Sequence, residues 1–215
     1  RQVVIQLLPA PFSQPWVANI RTLAAAHWWD GTSVYRVVDN WVAQWGAGED
    51  EDAGFAPRPL PEGVEAPTAE YEVLLPDLPP AQIDWHEIAE RLASEQEASG
   101  KQVGYILNPV DPNAPAPTQF ADSYAEFLTF RQGWPTGHYF DPEGISWPIH
   151  CYATVGVARD LAPDTGTGAE LYTVIGHAPR QLDRNIAVIG RVISGIEHLS
   201  TLPRGSGEAG VYETR

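Results

Sequence analysis

The chain has no methionine and a single cysteine, Cys151. One thiol excludes an internal disulfide framework, so burial and hydrogen bonding must hold the fold. Basic residues are scarce: 13 Lys and Arg against 28 Asp and Glu give a formal net charge of −15 and a pI near 4.6. The few cations are scattered rather than gathered into a stripe, which argues against nucleic acid as a partner. No apolar run approaches the roughly 20 residues that a helix needs to cross a bilayer, so no membrane span is expected. The sequence starts at Arg1 without an initiator methionine. A cleaved secretory signal would explain that, making a periplasmic or secreted location the expectation; other trimming would do the same and leaves a cytoplasmic one open.

The 215 residues are enough for one large domain with a real core. Three blocks are visible. Residues 1–47 open with the apolar run VVIQLL, then a segment in which Trp16, Ile20, Leu23 and Ala24 recur at helical spacing behind Pro15. Next comes GTSVYRVVDNWVAQWG, whose β-branched and aromatic residues predict two short strands around an Asp39-Asn40 turn. Residues 48–150 are rich in Pro, Gly, Asp and Glu, with stretches such as NPVDPNAPAPT, and read as an insertion. Within it, DWHEIAERLASEQ predicts a helix capped by Asp84, with Glu87 three residues on, and QFADSYAEFLTF is a second helix candidate. Residues 151–215 return to strands in CYATVGVAR, AELYTVIG and IAVIGRVI, followed by a short helix in SGIEHLSTL. There is no internal repeat.

Most candidate chemistry is weak. His86, Glu87 and Glu90 resemble part of a zinc-protease helix without its second His, and a solvated helix face explains them better. His27, His138, His150, His177, His198 and Asp183 show no metal-ligand spacing, so no metal and no cofactor is expected. Cys151 opens an apolar strand and reads as a small buried hydrophobe. Trp28, Trp29, Trp134 and Trp147 read as packing residues. The glycine-rich GTGAE lacks the Lys-Ser/Thr helix start of a phosphate loop. Arg36 is different, because a permanent cation stands inside an apolar strand. Local sequence leaves two readings open: an edge arginine with its head in water, or a working cation in a groove.

Taken in order, VVIQLLPAPFSQPWVANIRTLAAAHWWDGTSVYRVVDNWVAQWG resembles the first half of a cyclophilin-type peptidyl-prolyl isomerase. That family runs strand, "AP..V.NF..L" helix, "Y.GT.FHRVI", a Pro-Gly bend and "FM.QGG". VGVARDLAPDTGTGAELYTVIG resembles its "MAR…P.S..SQFFI", and QLDRNIAVIGRVISGIEHL its "LDG…VFG.V..GM..V". The likeness covers residues 2–47 and 153–203, with the insertion between, as in a divergent bacterial-type member. It implies one mainly β domain: a closed antiparallel barrel capped by two helices, 14–28 and 194–202, and interrupted by the insertion at 48–150. Alternating apolar strands agree with this. Residues Trp134 and Trp147 and the helix at 84–97 are expected to pack the insertion near the groove's mouth. Family members end on a strand beside the first one; here GEAGVYETR holds no such run, so a continuation or another segment is expected to cover that edge.

The resemblance also implies roles. Arg36 matches the catalytic arginine and Gln44 the glutamine that orients it, while Trp41, Val42, Tyr172 and Leu182 match residues lining a proline pocket. The second groove glutamine is Glu170 here, the pocket histidine is Ile186, and the tryptophan associated with cyclosporin binding is Gln181, which implies weak binding of that drug. A carboxylate at Glu170 is expected to compete for the arginine. The implied activity is cis/trans isomerisation of X-Pro bonds in peptides and unfolded proteins, at reduced efficiency, by a monomer. The alternative is a binding module for proline-containing peptides or a protein partner, with little catalysis.

Overall fold

The computed structural model describes residues 1–48, 58–74, 122–139 and 144–213. Ten strands and two α-helices organise them. Helix α1, Gln14–Ala25, carries Pro15 in its first turn and buries Trp16, Val17, Ile20 and Leu23 on one face. It ends three residues short of the expected 28, where Ala26 closes the last turn and His27 takes φ 51°.

Six strands form an antiparallel sheet: β1 (Val4–Leu7), β2 (Ser33–Val37), β3 (Val42–Gly46), β8 (Thr154–Val157), β9 (Leu171–Val174) and β10 (Val188–Ser194). Their order is β1-β10-β8-β9-β3-β2. Strands β8 and β9 are buried throughout, as their near-continuous apolar runs require. The central core gathers Leu8, Phe12, Trp16, Val37, Val155 and Ile189 under α1.

Among the described residues the hydrogen-bonded ladder does not close into the expected barrel, and β1 and β2 are its outer strands. The C-terminal segment runs beside β2: Val211 bridges Arg36, Tyr212 N donates to the Tyr35 carbonyl at 2.9 Å, and Gly205 N donates to the Val37 carbonyl at 2.9 Å. It therefore covers the edge of β2, not the edge of β1 where a cover was expected. The expected helix at 194–202 shortens to α2, Glu197–Ser200, because β10 runs on to Ser194 and Gly195, at φ 86°, makes the turn.

A second sheet lies within 48–150: β4 (Val73–Leu74), β5 (Phe127–Arg131), β6 (Trp134–Tyr139) and β7 (Ile145–Pro148), in the order β4-β7-β6-β5. This corrects the helix expected in QFADSYAEFLTF. Asp122 Oδ1 accepts from the N–H groups of Tyr124 and Ala125, each at 2.8 Å, and this local turn starts an extended segment instead. The expected helix at 84–97, with His86, Glu87 and Glu90, lies outside the described residues. The second sheet packs on the first. Trp134 enters the central core, with the Arg191 guanidinium 4.3 Å from its ring centroid. Arg184 lies 5.1 Å from the rings of both Tyr139 and Trp147. Residues 58–74 are tied to α1: Asn19 Nδ2 donates to the Glu65 carbonyl, and Tyr71 stacks on Trp16 at 5.5 Å.

Candidate active site

The β2–β3 hairpin sets Arg36 directly across from Gln44, and Gln44 in turn pairs with Tyr172 on β9. Three elements thus converge on one face. Arg36 Nη1 donates to Gln44 Oε1 at 2.9 Å, and Nε donates to the Ala209 carbonyl at 2.7 Å. The guanidinium also sits over the Trp41 ring, 5.1 Å from its centroid. Burial lowers its pKa, but an arginine starts high enough to remain charged. Among the described residues no group accepts from Nη2.

Beside the arginine, Val42, Tyr172 and Val174 form a buried apolar cluster, with Trp41, Leu182 and Ile186 packed against it. The apolar residues that the resemblance assigned to the pocket, and Ile186, therefore reach one place. Leu182 arrives on a 3-10 turn, Arg180–Leu182. Next to Trp41, an open cleft of about 430 Å³ runs between Asn40, His177 and Gln181.

Glu170 does not behave as expected. The partners of Arg36 are Gln44, Ala209 and Trp41, and the carboxylate is not among them. Glu170 Oε1 accepts from Gly48 N at 3.1 Å, and the carboxylate lies close enough to the Tyr35 hydroxyl to help raise its pKa, after burial. Tyr35 in turn accepts from Gln44 Nε2. The competing ion pair is replaced by a chain of neutral links.

A second polar group went unnoticed in the sequence. His150 Nδ1 lies 2.9 Å from Asp183 Oδ1 and Nε2 lies 2.7 Å from the Tyr172 hydroxyl, with all three side chains buried. Asp183 Oδ2 accepts from Arg180 Nε at 2.5 Å, and Arg180 Nη1 also pairs with Asp122. An acceptor-only carboxylate fixes the ring's orientation: Nδ1–H donates to Asp183, which leaves Nε2 facing the Tyr172 hydroxyl. Burial, with Asp183 nearby, pushes the Tyr172 hydroxyl far above its usual range, so it stays protonated. Asp122, which precedes β5, and His150, which follows β7, thus help hold the floor of the apolar cluster. No spacing rule links residues 33 positions apart, so only the fold could reveal this.

Fold and site together define a β-sheet protein with one oriented arginine at the rim of an apolar cluster. The model of the family described as cyclophilin type peptidyl-prolyl cis-trans isomerase/CLD matches residues 11–213, and the chain belongs to that family. Among solved structures, it is similar to the cyclophilin AquaCyp293 from Hirschia baltica, with 21% identity and a TM-score of 0.59. The likeness covers 94% of this chain and 63% of that one, and at this identity it speaks for the fold alone. No curated protein matches the chain.

Proposed function

We propose that this chain catalyses cis/trans isomerisation of X-Pro bonds in peptides and unfolded proteins. The observation that carries the reading is Arg36, charged and braced on two sides, at the edge of the cluster of Trp41, Val42, Tyr172, Leu182 and Ile186. Amide resonance holds the prolyl bond planar behind a barrier of about 18–20 kcal/mol. A guanidinium N–H donated to the prolyl nitrogen favours its pyramidal form and weakens that resonance. The group needs no proton transfer and no covalent intermediate. In this reading the apolar cluster takes the pyrrolidine ring, Gln44 orients Arg36, and Nη2 is the donor left for substrate. The six-stranded sheet is then the wall of a barrel whose closure includes the C-terminal segment beside β2.

Exchange NMR on a proline-containing peptide tests this. Wild-type protein accelerates the exchange. Arg36→Ala lowers turnover on the order of a hundredfold, the usual cost of one transition-state donor, while changing peptide affinity little. An unaccelerated exchange with peptide still bound would favour the binding-module reading.

A further inference from the structure

The hydrogen bonds around Arg36 run in one direction. A guanidinium can only donate and a carboxylate can only accept, so a chain between them has a fixed polarity. Here Arg36 Nη1 donates to Gln44 Oε1 and Gln44 Nε2 donates to the Tyr35 hydroxyl, whose own proton is left to face the nearby Glu170 carboxylate. Gln44 and Tyr35 could each point either way if isolated. With donor-only and acceptor-only ends, one arrangement satisfies every link, and it aims the amide oxygen of Gln44 at the arginine. Glu170 is anchored in its turn by Gly48 N and sits over Gly46, where a Cβ would come within 2.0 Å of the carboxylate. The glycine leaves the room that the carboxylate fills.

We propose that Tyr35 and Glu170 are positioning residues, which hold the Gln44 amide, and through it the Arg36 guanidinium, in the orientation the reaction requires. Neither touches the substrate in this assignment. Glu170 thereby changes role, from a competitor for the arginine to the far anchor of its support. Charge stays three links away from the guanidinium, so the support does not neutralise the cation at the point of use.

The kinetic arm of the test rests on the isomerase reading, and a second arm does not. The protein is labelled for NMR of the Arg36 Nε–H, and the order of that bond vector is measured alongside isomerisation of a proline-containing peptide. Tyr35→Phe keeps the ring and removes one link. It should loosen the Arg36 signal and lower kcat about tenfold, with KM within about twofold, the effect of about 1.4 kcal/mol. Glu170→Gln still offers an amide oxygen to Tyr35 and should retain most of the activity. Glu170→Leu should match Tyr35→Phe, and combining the two should cost no more than either alone, because both cut one chain. An Arg36 signal as ordered in Tyr35→Phe as in wild type would overturn the proposal, whether or not the wild type isomerises. So would additive losses in the double variant. If wild-type protein were inactive while Tyr35→Phe still loosened Arg36, the isomerase reading would fail and the positioning role would stand.

Discussion

At the residue scale, the deepest commitment outside the arginine is His150. Replacing it by alanine strands the Tyr172 hydroxyl and takes one partner from the Asp183 carboxylate, which keeps Arg180 and the backbone N–H of residue 150, in a site where both are buried. Leaving such groups without a partner costs far more than the bonds contribute on balance. We predict that His150→Ala loses roughly 3 kcal/mol of stability in urea melts, while Tyr172→Phe loses roughly 1–2 kcal/mol. Equal losses in the two variants would show that the Asp183 contact contributes nothing. The sequence could offer Arg36 and Gln44 because both lie on one hairpin, eight positions apart, where pattern and register coincide. Tyr35 was in plain view in that hairpin, but its partner Glu170 is brought in by β9, and no local rule couples them. The same reason hid His150, which read as one unplaced histidine among several.

At the element scale, apolar alternation located the strands well. Each strand of the six-stranded sheet overlaps one of the apolar or β-branched runs picked out in the sequence, with β10 overrunning its own by Ser194. The errors are instructive. FLTFR and the residues before it contain enough apolar positions to mimic a helical stripe, yet Phe127, Thr129 and Phe130 suit a pleat, and the β5–β6 ladder decides the matter. The short α2 follows from competition, since β10 takes residues that helical spacing had claimed. Trp134 offers the test of whether the second sheet belongs to the same cooperative unit. It is 4% exposed and lies in the central core, so Trp134→Ala should lower stability by about 3–4 kcal/mol within a single transition. Two separated transitions in the wild type would show that the sheets melt independently.

At the scale of the whole molecule, one buried imidazole gives folding stability a pH dependence of its own. His138, on β6, is 1% exposed, and burial, aided by Arg131, holds its pKa down to about 4. In the unfolded chain the ring titrates near its ordinary value, so below about pH 6.5 the unfolded state binds the extra proton first. The contribution of this residue is therefore complete at neutral pH, falls as pH drops through the window from about 6.5 to 4, and then levels off. Between pH 7 and pH 5 the loss attributable to this residue is roughly 2 kcal/mol. Melts of wild-type and His138→Gln protein across that window check the sign: the variant, whatever its stability at pH 7, should show a shallower fall. A parallel fall in both would place the acid sensitivity elsewhere.

The Ala209 carbonyl gives the chain's last turn a practical meaning. Arg36 rests on a backbone atom four residues before the end of the described structure, held there by the bridge between Val211 and its own strand. For anyone who prepares this molecule, residues 205–213 are therefore not neutral ground. A tag pulled across residues 205–213, or a truncation before Gly207, would take a brace from Arg36 while leaving every side chain of the apolar cluster in place.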